Sequence, residues 1–131
     1  MARKSVNVIR KMYEAFHGGD VEGALERFSP DVVIDASRRP DGRVGRGREE
    51  LGAIIGEWVT AFDDWREEIE ELRGVGNEVL VVARQRGRGK GSGIEVEARY
   101  AVVYEVRRET ITGMTLYPDP AEAREAVGPS E

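Results

Sequence analysis

The chain contains no cysteine and a single histidine. Disulfides, thiol nucleophiles and thiolate metal sites are therefore excluded, and one imidazole does not make a zinc site, so neither metal nor cofactor is expected. Long apolar runs are also missing. Nothing approaches the roughly 20 residues needed to cross a bilayer, and the opening stretch MARKSVNVIRKMYEAF has neither the apolar block nor the small-residue cleavage site of a secretion signal. A cytoplasmic protein without a membrane partner is expected. There is no excess of basic charge: 20 basic against 25 acidic residues leave a net charge of −5, which repels nucleic acid and argues against it as a partner. Lysine occurs only at Lys4, Lys11 and Lys90.

What is present suits one folded unit. In 131 residues, 40% are hydrophobic and 34% charged, enough apolar surface for one core but not two. A single domain over 1–131 is expected, with its core between about 6 and 128. Val6, Ile9, Tyr13 and Phe16 recur at helical spacing, and His17-Gly18-Gly19 ends that helix. Asp20 caps a second, short helix carrying Val21, Ala24, Leu25 and Phe28, stopped by Ser29-Pro30-Asp31. DVVIDAS (31–37) reads as a strand and the turn-rich RRPDGRVGRG (38–47) as a loop. Leu51, Ile54, Ile55, Trp58, Val59, Phe62 and Trp65 then form a broad stripe on a longer helix.

Beyond Trp65 the period changes to two. Strands are expected at 66–73, 78–88, 93–107 and 110–117, joined by short turns as an antiparallel meander. On the longest strand Ile94, Val96, Ala98, Tyr100, Val102, Tyr104 and Val106 share one face. The other face is polar at its ends but apolar at Ala101 and Val103, beside which Leu80 and Val82 can lie. An apolar patch on the outer face of a sheet predicts a homodimer formed back to back. PDPAEAREAVGPSE reads as a closing helix capped by Asp119, with Pro120 at its first position and a loose tail beyond Gly128.

The order of these elements, together with the strings MYEAFHGGDVEGALERFSPDVVID, RGREELGAIIGEWVTAF, VGNEVLVVARQRGRGKGSGIEVEARYAVVYEV and ITGMTLYPDPAEAREAVG, resembles the SnoaL-like branch of the nuclear-transport-factor-2-like superfamily. The resemblance implies an α+β fold in which a strongly curved antiparallel or mixed sheet wraps helices into a cone with an internal pocket. Ketosteroid isomerases, limonene-type epoxide hydrolases, polyketide cyclases and non-enzymatic modules share that shape, so the fold does not name a reaction. Laying the epoxide hydrolase pattern on the chain puts Ala83, Gln85 and Leu116 where Arg and two Asp are required, and Ile34 and Ala36 where Tyr and Asn are. The ketosteroid isomerase pattern puts Met12 in place of the oxyanion Tyr and Ala101 or Val102 in place of its Asp partner. Neither chemistry is expected.

Asp31 opens the apolar first strand, and Asp35 is the carboxylate inside it. Facing the pocket it would be a desolvated general base for an isomerase, cyclase or lyase; facing out it would pair with Arg38 or Arg39. Gln85, Tyr100, Tyr104 and Tyr13 are polar-tipped residues able to orient a ligand or to serve as core, and Phe16, Trp58, Phe62, Met114 and Leu116 would shape an apolar pocket. His17 sits at a helix end, where its charge suits the helix dipole. The arginines at 38–48 and at 84–88 could converge on an anion or be solvated surface. GRGKGSG joins two strands and opens no helix, so it is no phosphate loop. The partner expected is a small apolar organic molecule, bound by an enzyme, by a carrier or sensor, or not at all in a dimerisation module.

Overall fold

Ten elements follow from these patterns in a computed structural model that describes residues 2–40 and 42–128. The 3.6-residue apolar period of the opening segment makes α1 (Ala2–His17), which buries Val8, Ile9, Met12 and Tyr13 along one face. Asp20 accepts a hydrogen bond from the Gly23 amide at 2.9 Å and so starts α2 (Val21–Glu26). The chain then runs through β1 (Phe28–Asp35), β2 (Val44–Arg46), α3 (Arg48–Thr60), β3 (Phe62–Val75), β4 (Glu78–Gly89), β5 (Glu95–Arg107), β6 (Thr110–Tyr117) and α4 (Pro120–Val127).

The six strands form one curved, unclosed sheet in the order β2-β1-β6-β5-β4-β3. All neighbours are antiparallel except β1 and β6, which run parallel, so the expected α+β architecture with a mixed sheet is the one observed. α1 and α3 lie against the concave face, where Val79, Val81, Ala83, Tyr100, Val102 and Tyr104 alternate inward from β4 and β5. Ile94, expected on that face, precedes β5 and is 66% exposed.

Three boundaries differ from the sequence reading. Phe28 opens β1 instead of closing α2, and Pro30 sits where the pairing of β1 with β6 breaks register, so its missing N–H costs no ladder bond. The loop 38–47 contains β2. Gly45 there lies so close to α3 that a Cβ would sit 2.9 Å from Ile54 Cδ1, so a larger residue would have to push that side-chain end aside. The third difference matters most: α3 ends at Thr60, and Phe62 and Trp65 belong to β3. Both face inward although three residues apart, because pairing with β4 shifts register between Asp63 and Arg66 and Asp64 adopts φ 53°. A bulge of this kind reproduces helical spacing inside a strand.

The convex face carries a second, smaller core. Leu80, Val82, Ala101 and Val103 lie under α4, packed with Tyr117, Ala123 and Val127, and none of the four is more than 6% exposed. This corrects the expected dimer contact: the patch that looked like an interface is covered by the chain's own last helix. α4 is held there by its cap, since Asp119 accepts from the Ala121 amide at 2.9 Å with Pro120 at the first helical position. The tail expected to be loose beyond Gly128 lies outside the described residues.

Candidate functional site

Between the helices and the concave face lies a cavity of about 260 Å³. Its walls come from α1 (Met12, Tyr13, Phe16), from α2, from α3 and from the inward faces of β3, β5 and β6. Of the nine residues expected to face a ligand, Tyr13, Phe16, Trp58, Tyr100, Tyr104 and Met114 line it. Phe62, Gln85 and Leu116 stand behind the lining. Phe62 packs against the main core, and Leu116 is buried within it. The Gln85 carbonyl oxygen is occupied: the indole N–H of Trp58 donates to it at 2.8 Å and that of Trp65 at 3.0 Å. Gln85 thus positions the two indoles that form one wall of the cavity, with ring centroids 6.4 Å apart.

Asp35 is not in the cavity. Strand alternation points Val32 and Ile34 inward and turns Asp35 out, where its Oδ1 accepts from the Ser37 hydroxyl at 2.5 Å and the Ser37 amide at 3.0 Å, with Arg38 at 3.6 Å. These bonds, Ser37's first, hold its pKa below the ordinary value. A poised general base needs the opposite shift, so the pocket role expected for Asp35 is withdrawn.

The carboxylate of the cavity is Glu67, on β3 two residues beyond Trp65 and on the same face. Its side chain is 4% exposed, and His17 Nε2 donates to its Oε1 at 2.9 Å. His17, at the end of α1, is 35% exposed and packs beside Tyr13 and Phe16. The sequence held a signal for Glu67 in the alternation of Trp65, Glu67 and Ile69, but assigning Trp65 to a helix removed its first member.

Tyr13 and Tyr104 bring α1 and β5 together through hydroxyls 2.6 Å apart. Burial raises the pKa of both, and the negative charge of Glu67 raises them further. Tyr100 differs from them. It is 5% exposed, lines the cavity, and its hydroxyl has no hydrogen-bond partner among the described residues. A buried phenol is normally paired, so the Tyr100 hydroxyl, itself sealed from solvent, is an unsatisfied donor beside the cavity whose wall its ring helps to form.

The arginine-rich segments do not converge on a shared site. Arg38 stacks on Tyr117 and Arg39 on Trp58, at 4.5 and 5.0 Å from the ring centroids. Arg43 makes a two-pronged bond to Glu57 at 3.0 and 2.8 Å, and Arg48 Nε donates to the Phe28 carbonyl. On the hairpin Arg84 meets Glu68, Glu70 and Glu97, Arg86 meets Glu97, and Arg88 meets Asp64. Among the described residues no cluster of His, Asp and Glu suits a metal ion, and no helix is long and apolar enough to cross a membrane.

Solved structures share this fold. A SnoaL-like polyketide cyclase by name, from Jannaschia sp. CCS1, superposes with a TM-score of 0.77 at 17% identity over 96% of this chain and 92% of its own. Rv0760c of Mycobacterium tuberculosis, in complex with estradiol-17β-hemisuccinate, gives 0.70 at 24% identity over 87% and 92%. A protein of ketosteroid isomerase-like fold from Catenulispora acidiphila, in complex with trimethylamine, gives 0.71 at 19% over 84% and 83%. No curated protein matches the chain. The sequence profile of the SnoaL-like domain matches residues 9–114, and with the cone and its cavity in place the chain belongs to the SnoaL-like domain family.

Proposed function

We propose that the protein binds a small, largely apolar organic molecule in the cavity, anchored by a hydrogen bond to Tyr100. The observation that supports this most directly is the unpaired Tyr100 hydroxyl beside a wall that is apolar and aromatic but for a few groups such as Glu67: a ligand oxygen that reached it would recover a bond whose absence costs about 1–3 kcal/mol. The volume of about 260 Å³ lies below the roughly 300–1,000 Å³ of drug-sized sites, which favours a compact ligand over a polycyclic one. Structural neighbours in complex with an estradiol ester and with trimethylamine are consistent with a ligand-holding cone. The reading takes the chain as one cytoplasmic domain working without cofactor, metal, nucleic acid or membrane. It includes no dimer through Leu80, Val82, Ala101 and Val103, and no hydrolase or classical isomerase chemistry, whose residues the sequence replaces.

Trp58 and Trp65 are the only tryptophans and both line the cavity, so intrinsic fluorescence is a built-in reporter. Titration with compact ketones and phenols is expected to shift the emission saturably. Tyr100→Phe should weaken the ketones roughly 3- to 10-fold, the net value of one hydrogen bond. A flat response across such a panel would remove the proposal.

One observation favours catalysis by an isomerase, cyclase or lyase: a carboxylate in a largely apolar cavity, bonded to an imidazole. Glu67 could take a proton from carbon beside a ligand carbonyl and return it elsewhere. Loss of solvent deuterium incorporation into a bound ketone in Glu67→Gln would support this; incorporation at the wild-type rate would exclude it.

A further inference from the structure

The cavity has an electrostatic character that an apolar ligand does not explain. Among the described residues that line it, Glu67 is the one formal charge. No lysine or arginine lines it, although Arg39 stacks on the Trp58 ring at 5.0 Å. The nearest compensating group is His17, which meets one carboxylate oxygen from the rim side and is one-third exposed. The same cavity is lined by the rings of Tyr13, Phe16, Trp58, Trp65 and Tyr100. Trp58 lies 4.8 Å from Tyr100 and Phe16 6.0 Å from Trp65, centroid to centroid and edge to face.

Three classes of occupant can be weighed against this arrangement. An anion would meet the charge of Glu67 with only His17 beside it as an offset, and like-charge repulsion in an apolar space is severe. A neutral apolar molecule would complete the desolvation of a carboxylate that keeps only one partner. An organic cation gains twice, because aromatic faces attract a desolvated ammonium and the carboxylate neutralises it at short range. Burial raises the phenol pKa values of Tyr13 and Tyr104, and the charge of Glu67 adds to that rise.

We infer that the cavity selects a compact organic cation, a tertiary or quaternary ammonium on a small apolar body, with Glu67 as its counter-ion and the aromatic walls as its cage. This inference rests on the cavity being a ligand site, and it gives Glu67 a binding role in place of the proton-transfer one.

The test compares benzyltrimethylammonium with neopentylbenzene, which has carbon in place of the charged nitrogen and the same shape, by tryptophan emission and calorimetry on the full chain. Wild type should prefer the cation by at least about 10-fold, a preference of about 1.4 kcal/mol. Glu67→Gln should bring the two probes within about 2-fold while keeping the neutral one bound, and Glu67→Asp should restore part of the preference. Circular dichroism and urea melts check that each variant folds; if Glu67→Gln does not, the Asp variant decides, since it keeps the charge while shifting it by one methylene. Equal affinities in wild type, or a preference that survives Glu67→Gln, overturn the inference and leave the cavity reading standing. Failure of both probes to bind wild type overturns the inference and the cavity reading together.

Discussion

Replacing Tyr104 by Phe strands the Tyr13 hydroxyl in the core, and the converse replacement strands Tyr104. The two oxygens are 2.6 Å apart, 91 residues separated in sequence, and both rings are buried. Each single variant therefore loses a hydrogen bond and also leaves a buried polar group unsatisfied, a cost of about 1–3 kcal/mol. The double variant removes both polar groups together and keeps the ring packing, so it should cost only about 1 kcal/mol or less. Two singles near 2 kcal/mol and a double near 1 give a coupling of about 3 kcal/mol, far outside the roughly 0.5 kcal/mol scatter of independent sites. Urea denaturation followed by tryptophan emission and circular dichroism measures all four corners of the cycle, with an unchanged m value showing that the denatured state is not altered. Additivity would refute the reasoning, because it would mean that the two hydroxyls do not bond in solution and that α1 is not tied to β5 in this way.

The same pair predicts an alkaline limit to stability. Both phenols are raised above the ordinary value of 10 in the fold, so their contribution is complete below about pH 10, where the unfolded tyrosines begin to ionise, and declines as pH rises further. The slope should be about 1.4 kcal/mol per pH unit for each tyrosine; urea midpoints between pH 9 and 11 should fall less steeply in the Tyr13→Phe/Tyr104→Phe double variant. Val127→Asp places a charge in the contact between α4 and the convex face, where Leu80 and Ala101 are fully buried. It should cost about 2–4 kcal/mol and, by loosening α4, raise the apparent mass in sedimentation; a monomer of wild-type stability would show that α4 does not cover this face. Ser37→Ala removes the leading cause of the low Asp35 pKa, so the Asp35 carboxyl should titrate closer to its ordinary value by NMR, while Asp35→Asn leaves ligand-induced tryptophan shifts unchanged. A lost shift in the latter variant would return Asp35 to the site.

Much of the fold was legible because its strongest patterns are long and regular. The alternation on β5 places Tyr100, Val102, Tyr104 and Val106 inward, and the caps at Asp20 and Asp119 sit where the side-chain chemistry predicts. The outer patch was also read correctly as apolar. Its partner was misassigned because periodicity shows that Leu80, Val82, Ala101 and Val103 need cover but not where the cover comes from. α4 is only eight residues long, and two small side chains, Ala123 and Val127, do most of its packing. That is too little apolar content for a sequence pattern to announce a helix as the lid of a second core.

The error at the site has a single physical origin in β3. A bulge at Asp63–Asp64 gives Phe62 and Trp65 the spacing of a helix although both point inward from a strand. With Trp65 assigned to the end of α3, the run that follows lacks its first inward member and reads as charged surface. With Trp65 in the strand, alternation carries the inward face through Glu67 to Ile69, and the carboxylate of the cavity moves from β1 to β3. The move also gives His17 a role. The sequence reads it as a charge for a helix dipole, but a helix end aimed at a curved strand reaches a residue 50 positions away, and the bond to Glu67 ties the end of α1 to β3. Glu67 and His17 are thus found together or not at all. Both depend on placing one bulge, the feature of β-structure that period-two patterns describe least well.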